Sequence, residues 1–370
     1  MPNEKLTTHA VILAGGRGTR FWPRSRTRTP KQLLNIVGKN TMLEQTVERM
    51  LHLVAPPHLW TVTNAEQAAA VKKQLPAASR KRVLTEPVGR NTAAAIGLAA
   101  VHVRHAALGD ALMAVLPSDQ YIADTEKYHR IVRAALEVAR DPGRMVVLGI
   151  PPTRPETGFG YVECMGDALH SLGFSVYAVR RFTEKPAFDL AKEYAASGNY
   201  HWNAGMFFWR VSTFLENLKK FLPKTLEALE SLAETIGKKS YESRLRAIYP
   251  KLENISVDYA ILENATRQEG SPQAYVIPAE IGWSDIGSWA AVYELLARQP
   301  GDNVLPGKGL VLDASGNFLY SPKKFIAAIG VRDLIVVETP DALLVVPRDR
   351  AQDVAKIVKS LEERKLTKLL

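Results

Sequence analysis

Cysteine is almost absent: the 370 residues hold one, Cys164, which excludes an internal disulfide and any site built from several thiolates. Such usage fits a reducing compartment, and Cys164 itself reads as an ordinary strand residue. Long apolar runs are missing too. No window approaches the ~18 to 20 apolar residues of a membrane span. The stretch from Met1 to His9 is polar and has no signal-peptide core, so a cytoplasmic protein without membrane partners is expected. The eight histidines form no H-E-x-x-H pair, and no G-x-S-x-G elbow or Ser-His-Asp order occurs, which removes the usual zinc-hydrolase and acyl-enzyme chemistries. A Walker A loop, G-x-x-x-x-G-K-[ST], cannot be placed, and a dinucleotide fingerprint would require glycine where Phe21 stands. Low-complexity linkers are also lacking.

What is present is a folded chain, 46% hydrophobic and too long for one ordinary core, so a large domain with a smaller one is expected. The formal net charge is +10, and seven basic residues (Lys5, Arg17, Arg20, Arg24, Arg26, Arg28 and Lys31) fall in the first 31 positions. No zinc-finger spacing, RNP-like aromatic string or basic heptad accompanies them. The charge therefore suits small polyanions, and no nucleic-acid partner is expected.

The apolar run from Ala10 to Ala14 leads straight into Gly15-Gly16-Arg17-Gly18-Thr19-Arg20 and then Thr29-Pro30-Lys31-Gln32. Three glycines in four positions let backbone N–H groups converge on phosphate oxygens, with Arg20 and Lys31, helped by Arg17, as flanking cations. A glycine turn after a strand can also be a mere connection. Gly15 to Gln32, however, resembles the signature loop of sugar-nucleotide pyrophosphorylases, and Phe21-Trp22-Pro23-Arg24-Ser25-Arg26 before Pro30-Lys31-Gln32 resembles the mannose-1-phosphate guanylyltransferases.

From His9 to about Leu148, short apolar runs alternate with amphipathic helices, the pattern of a three-layer α/β sheet. Strands are expected at Ala10–Ala14, Trp60–Thr63, Arg82–Thr85, Ala111–Leu116 and Met145–Gly149, and later at Phe174–Val179 and Ala204–Trp209. Helices are expected after the capping box Thr41-Met42-Leu43-Glu44, from Asn91 or Thr92 to about Ala106, and at Tyr128–Ala139, Phe214–Leu222, Leu226–Ile236 and Tyr259–Glu263. After Pro300 short β runs and turns take over, so the expected domains are 1–300 and a small all-β module, 301–370. An amphipathic helix closes the chain near Arg350–Leu366, with Val354, Ile357, Val358 and Leu361 as a stripe that needs a partner from this subunit or another. That stripe and the β module make a homodimer the expectation.

Joining a nucleoside triphosphate to a sugar phosphate needs neutralised charge, a divalent metal and a held nucleophile. Asp119, just past the strand ending Leu116-Pro117-Ser118, and Asp285, between Trp283 and Trp289, are carboxylates in fixed settings; each also reads as a turn residue or helix cap. Both segments match the family's metal motifs, and the resemblance implies that Asp119 and Asp285 hold Mg2+. Lys185, in Phe182-Thr183-Glu184-Lys185-Pro186, is a compact point charge suited to phosphate. By the family likeness Lys185 grips the sugar phosphate, while Glu184, Asn203 and the Gly160 backbone contact sugar hydroxyls. Guanine offers N1–H and N2–H donors, and Glu86-Pro87-Val88-Gly89-Arg90-Asn91-Thr92 is positioned to read them, with the base-reading side chain left open. The resemblance thus assigns Gly15, Gly16, Gly18, Thr19, Glu86, Arg90, Asn91 and Ser118 to the nucleotide and makes Arg20, Lys31 and Lys185 the catalytic cations.

The resemblance spans about Ala10 to Val346 through six motifs in family order, departing at Gln120 and Phe159, where the family often has histidine and tyrosine. It implies a Rossmann-like three-layer nucleotidyltransferase (GT-A-like) domain, then a module resembling a short left-handed β-helix. The implied activity is transfer of GMP from GTP to mannose 1-phosphate. The chain stops after one helix beyond that module, so a single activity is expected. The alternatives are another nucleotide and sugar pair, or a silent sugar-nucleotide-binding paralogue; the latter would be expected to lack one of Asp119, Asp285 and Lys185.

Overall fold

The computed structural model describes residues 6–16, 18–267 and 272–370, and the chain divides into two compact units. The first contains 1–15, 46–118 and 122–283; the second contains 16–45, 119–121 and 284–370. The division follows contacts rather than chain order.

The first unit is built on a nine-stranded mixed sheet: β1 Thr8–Leu13, β2 Leu59–Asn64, β3 Val83–Glu86, β4 Leu112–Pro117, β5 Met145–Ile150, β6 Gly160–Ser171, β7 Phe174–Glu184, β8 Tyr200–Arg210 and β9 Ala274–Pro278. Their spatial order is β3-β2-β1-β4-β8-β5-β9-β7-β6, with β8 also pairing β6. The pairs among β1, β2, β3 and β4 are parallel, in registers such as Val11 with Trp60 and with Val115. β1, β2 and β4 are buried along nearly their whole length and are rich in apolar residues, which is why the sequence shows them clearly; β3, at the sheet edge, alternates half-buried and buried positions. The helix Asn91–Ala107 covers them with Ala93, Ala94, Ile96, Leu98, Ala99 and Ala100 buried.

The expected strands of the first half are all present, but β6 and β9 have no counterpart in the sequence expectation. β6 is half exposed and follows no clean alternation, and it turns into β7 through Leu172 and Gly173, both at positive φ (48° and 85°). Leucine is an unusual occupant of such a hairpin position, which hides the turn. The helix expected at Leu226–Ile236 runs instead over Pro223–Ala233, because proline is well placed in a first helical turn. The expected cap at Asn91 or Thr92 is also different: Asn91 has φ 63°, its Oδ1 accepts the Thr92 N–H at 2.9 Å, and the Thr92 hydroxyl accepts the Val257 N–H at 2.8 Å. The segment expected as a helix at Tyr259–Glu263 is a π-helical turn, Asp258–Leu262, followed by an α-turn, Glu263–Thr266.

The second unit gathers the basic loop and the β module around one core, in which Phe21, Trp22, Met42, Ile286, Trp289, Phe318, Ile335, Val354 and Val358 are buried. The Trp289 indole N–H donates to the Trp22 carbonyl at 3.1 Å, and its ring meets Phe21 edge-on at 5.1 Å. The module stacks coils. β10 Gly309–Leu312 pairs in parallel with β12 Ile326–Ile329, and β11 Phe318–Tyr320 pairs in parallel with β13 Leu334–Glu338; β14 Leu343–Pro347 then returns antiparallel to β13. Asparagines link the coils: buried Asn317 donates from Nδ2 to Asn303 Oδ1 at 2.8 Å and to the Val331 carbonyl at 3.0 Å, and its Oδ1 accepts the Leu334 N–H at 2.9 Å.

The closing helix is shorter than expected, Val354–Glu363, preceded by a 3-10 segment, Arg348–Asp353. Its stripe finds its partner within this unit, since Val354 and Val358 lie in the core with Ile357 and Leu361 packed against it. No helix among the described residues is long and apolar enough to cross a membrane.

Candidate active site

In the second unit, the residues after the glycine turn converge on Lys31. Gly18 has φ 59°, and a Cβ placed on it would lie 2.6 Å from Lys31 Cβ and 2.7 Å from Lys31 N, so only glycine allows this close passage. Gln32 Nε2 donates to the Gly16 carbonyl at 3.0 Å, and Thr19 opens a 3-10 turn, Thr19–Phe21. The Lys31 side chain is 6% exposed, and its ammonium lies 3.0 Å from Asp119 Oδ2 and 2.6 Å from the Asp285 carbonyl oxygen. One cation thus joins both segments expected to supply metal carboxylates.

Neither carboxylate serves as a simple cap. Ser288, not Asp285, occupies the N-cap position of the helix Trp289–Leu296, and Asp124 caps the helix Thr125–Val138 by accepting the Lys127 N–H. Carboxylate oxygens are hard donors of the kind a small divalent cation takes. Among the described residues no three His, Cys, Asp or Glu side chains are grouped so as to hold a metal ion.

The other loop cations have distinct tasks. Arg20 Nη1 donates to Gln352 Oε1 at 3.0 Å, a partner on the segment before the closing helix that sequence reading did not anticipate. Arg24 lies over the Tyr320 ring at 4.6 Å and donates to Asn35, and Arg26 pairs with Asp341 at 3.0 Å, so these two hold the β module. Arg17 lies outside the described residues.

In the first unit, the residues expected to serve the nucleotide lie toward the carboxyl end of the parallel strands, where open α/β sheets bind ligands. Thr63 Oγ1 donates to the Ala14 carbonyl at 2.9 Å, and Ser118, buried, donates its N–H to the Leu13 carbonyl at 3.1 Å. Glu86, 7% exposed at the end of β3, places Oε2 3.4 Å from where a Gly15 Cβ would be, and its Oε1 accepts the Tyr249 hydroxyl at 2.7 Å. Burial raises its pKa, against hydrogen bonds from Tyr249 and the Arg90 backbone that favour the ionised form. Arg90 does not point freely toward a ligand, because its guanidinium donates to the Pro250 carbonyl.

The residues expected to serve the sugar phosphate gather separately within the same unit. Gly160 pairs with Glu184 across β6 and β7, and a Cβ there would stand 2.5 Å from Glu184 Oε2 and 3.0 Å from the Phe182 ring. Lys185, at φ 49°, donates its ammonium to Glu184 Oε1 at 2.6 Å. Burial opposes its charge, but the hydrogen bond and charge of Glu184, with Asp258, raise its pKa above the ordinary lysine value. Asn203 is held from both ends: Nδ2 donates to Asp258 Oδ1 at 2.8 Å and Oδ1 accepts the Gly205 N–H at 3.0 Å. Burial, and then the charge of Glu184, push the Asp258 carboxyl up to about 7.

Asp258 was missed from sequence. Its signal is a carboxylate inside the apolar run Val257-Asp258-Tyr259-Ala260-Ile261-Leu262, on a π-turn, a form often found at functional sites. The Cys164 thiol lies 3.4 Å from His201 Nδ1, but burial pushes the thiol up to about 11 and the imidazole down, so this pair is no activated nucleophile.

A mixed α/β sheet whose first strand leads into a glycine turn, with separate lysine and carboxylate clusters, fits one class: a nucleotidyl transferase. The nucleotidyl transferase family model matches residues 9–299, and the MannoseP isomerase/GMP-like beta-helix domain matches 307–361. Mannose-1-phosphate guanylyltransferase of Klebsiella pneumoniae is 40% identical over 357 residues, covering 95% of this chain and 74% of that protein. The alginate biosynthesis protein AlgA of Pseudomonas aeruginosa is 37% identical, covering 95% and 72%. A solved structure described as mannose-1-phosphate geranyltransferase from Thermus thermophilus superposes with a TM-score of 0.85 at 34% identity, covering 96% of this chain and all of that one. The chain belongs to the mannose-1-phosphate guanylyltransferase family of nucleotidyl transferases.

Proposed function

We propose that this protein transfers GMP from GTP to α-D-mannose 1-phosphate, giving GDP-mannose and pyrophosphate. A phosphate oxygen of the sugar phosphate attacks the α-phosphorus, and the bond from that phosphorus to the bridging oxygen of the β-phosphate breaks. The observation that carries this reading is Lys31, buried between Asp119 and the Asp285 backbone. A cation so placed can pass from a carboxylate to a phosphate oxygen when the triphosphate enters, with little movement.

Arg20 adds charge near the triphosphate, and Gly15, Gly16, Gly18, Thr19 and Ser118 supply the surrounding backbone. Lys185 holds the attacking phosphate while Glu184, Asn203 and Gly160 take the sugar hydroxyls; Glu86 faces the base. Nucleotidyltransferases of this family generally use a divalent metal. Here we propose Mg2+ on Asp119 and Asp285. When bound, it would neutralise phosphate charge and order the phosphate oxygens. We also propose a cytoplasmic homodimer, supported by the single cysteine and by exposed Leu310, Leu312 and Ile329 on the β module, with light scattering as the check.

Pyrophosphate release, with GTP, ATP, UTP and dTTP crossed against mannose 1-phosphate and glucose 1-phosphate, tests the activity. Turnover confined to GTP with mannose 1-phosphate is the expected result. Turnover with another pair overturns the substrate assignment, and none with any pair leaves a sugar-nucleotide-binding paralogue.

A further inference from the structure

Glu86 is the only acidic side chain in the loop 86–92, and it does not stand alone. The segment from Tyr249 to Val257, more than 150 positions further along the chain, meets this loop at four points. The Tyr249 hydroxyl donates to Glu86 Oε1 at 2.7 Å, and the Pro250 carbonyl accepts the Arg90 guanidinium. The Ile255 carbonyl accepts the Ala93 N–H at 3.2 Å, and the Val257 N–H donates to the Thr92 hydroxyl at 2.8 Å. Each contact is polar, and Tyr249 is fully buried, so its hydroxyl spends its one proton on this carboxylate.

A carboxylate that reads guanine must accept from N1–H and N2–H together, and both oxygens must therefore lie in the plane of the base. Glutamate has three rotatable bonds before its carboxyl and does not hold such a plane unaided. Tyr249 removes that freedom by fixing Oε1, a backbone hydrogen bond from Arg90 holds the same carboxylate, and Oε2 lies on the Gly15 side. Its hydrogen bond also favours the ionised form that burial opposes.

We propose that Tyr249 is a positioning residue for base selection, orienting the Glu86 carboxylate toward the guanine N1–H and N2–H edge. The inference rests on the assignment of GTP as substrate and on Glu86 as the base reader.

The experiment compares GTP with ITP, which keeps N1–H and lacks the 2-amino group, as the ratio of their kcat/KM values. It is run in the wild type, Tyr249→Phe, Glu86→Gln and the double variant, with mannose 1-phosphate as acceptor. Tyr249→Phe keeps the ring and removes only the hydroxyl. The expected result is a GTP-to-ITP ratio lowered about tenfold in Tyr249→Phe, the scale of one hydrogen bond to a charged group. Glu86→Gln lowers it at least as far, and the double variant falls no further than Glu86→Gln, because Tyr249 acts only through Glu86. A ratio unchanged in Tyr249→Phe, or losses that multiply in the double variant, overturns the proposal. Because the ratio is internal to each sample, partial misfolding does not alter it. A wild type that turns over GTP and ITP equally refutes the base-reading role and leaves the transferase activity standing. A wild type inactive with GTP refutes the substrate assignment itself, and this inference with it.

Discussion

The Lys31 ammonium is 3.0 Å from Asp119 Oδ2, both on loops that the sequence separates by 88 positions. The lysine is nearly buried while the aspartate side chain is 40% exposed, so the pair has one fixed and one accessible member. On the proposed function the accessible carboxylate would turn to the metal and the fixed cation would face the phosphate. Lys31→Met, Asp119→Asn and Asp285→Asn are each expected to lower kcat by about 10² or more, the scale of one lost electrostatic contact in a transition state. Pyrophosphate release against magnesium concentration checks this. The two aspartate variants should need more Mg2+ for half-maximal rate, Lys31→Met should not, and chelation by EDTA should stop turnover until Mg2+ is restored.

Gly160 gives a sharper test on the sugar side. A methyl there meets Glu184 Oε2 at 2.5 Å and the Phe182 ring at 3.0 Å, and the glutamate is the freer of the two to yield. Its displacement also drags the 2.6 Å bond to the Lys185 ammonium. Gly160→Ala should raise KM for mannose 1-phosphate about tenfold, with a much smaller change in KM for GTP. Equal changes in both constants would argue against a sugar-specific role for this corner.

The local framework of the candidate site was legible in the sequence because it depends on local order. The run from Ala10 to Gly18 encodes a buried strand and a turn that only glycine permits, and Asp119 directly follows a strand. The partners of those residues were not legible. Glu86 and Tyr249 are 163 positions apart, and Asn203 and Asp258 are 55 apart; no periodicity links them. The hairpin at Leu172-Gly173 lacked the residues that usually announce its turn, so β6 was hidden. The stripe Val354, Ile357, Val358 and Leu361 was recognised as needing cover, but amphipathicity cannot say what supplies it, and the structure supplies the core around Phe21 and Trp22.

Three buried titratable groups make stability depend on pH in opposite directions. Burial, then the charges of His58 and Arg82, depress His9 to about 4; burial, then His105 and Arg82, depress His102 to about 4. Between pH 6.5 and 4 the unfolded chain therefore binds protons that the folded chain refuses, and their contribution to stability is lost as pH falls through that window. Asp258, raised to about 7 from 3.8, works the other way, since the folded state takes up its proton first and gains stability as pH falls from 7. Thermal melts at pH 7.5 and pH 5 should show a smaller acid-side drop in Tm for His102→Gln than for the wild type. The drop should be larger for Asp258→Asn. Identical drops in all three proteins would contradict the linkage.

Asn317 tests what holds the stacked coils together. It is fully buried and makes three bonds through its side chain, to Asn303 Oδ1, to the Val331 carbonyl and from the Leu334 N–H, so it ties three successive turns of the β module. Replacement by alanine removes all three at once; Asn303 Oδ1 keeps the residue-317 backbone N–H at 3.2 Å and the Val331 carbonyl keeps the Ser315 N–H at 3.2 Å, so the Leu334 N–H is the group that loses its partner. A single orphaned buried group costs ~1–3 kcal/mol, so a loss of about that size is expected. Leucine restores volume without restoring any bond, and should be no better than alanine. Because the core that receives Phe318 and Ile335 also receives Phe21 and Trp22, the loss should extend beyond the module. Hydrogen exchange in Asn317→Ala should quicken at Phe21 and Trp22 as well as at Leu319. Faster exchange confined to residues 303–347 would mean that the coils fold independently of the basic loop.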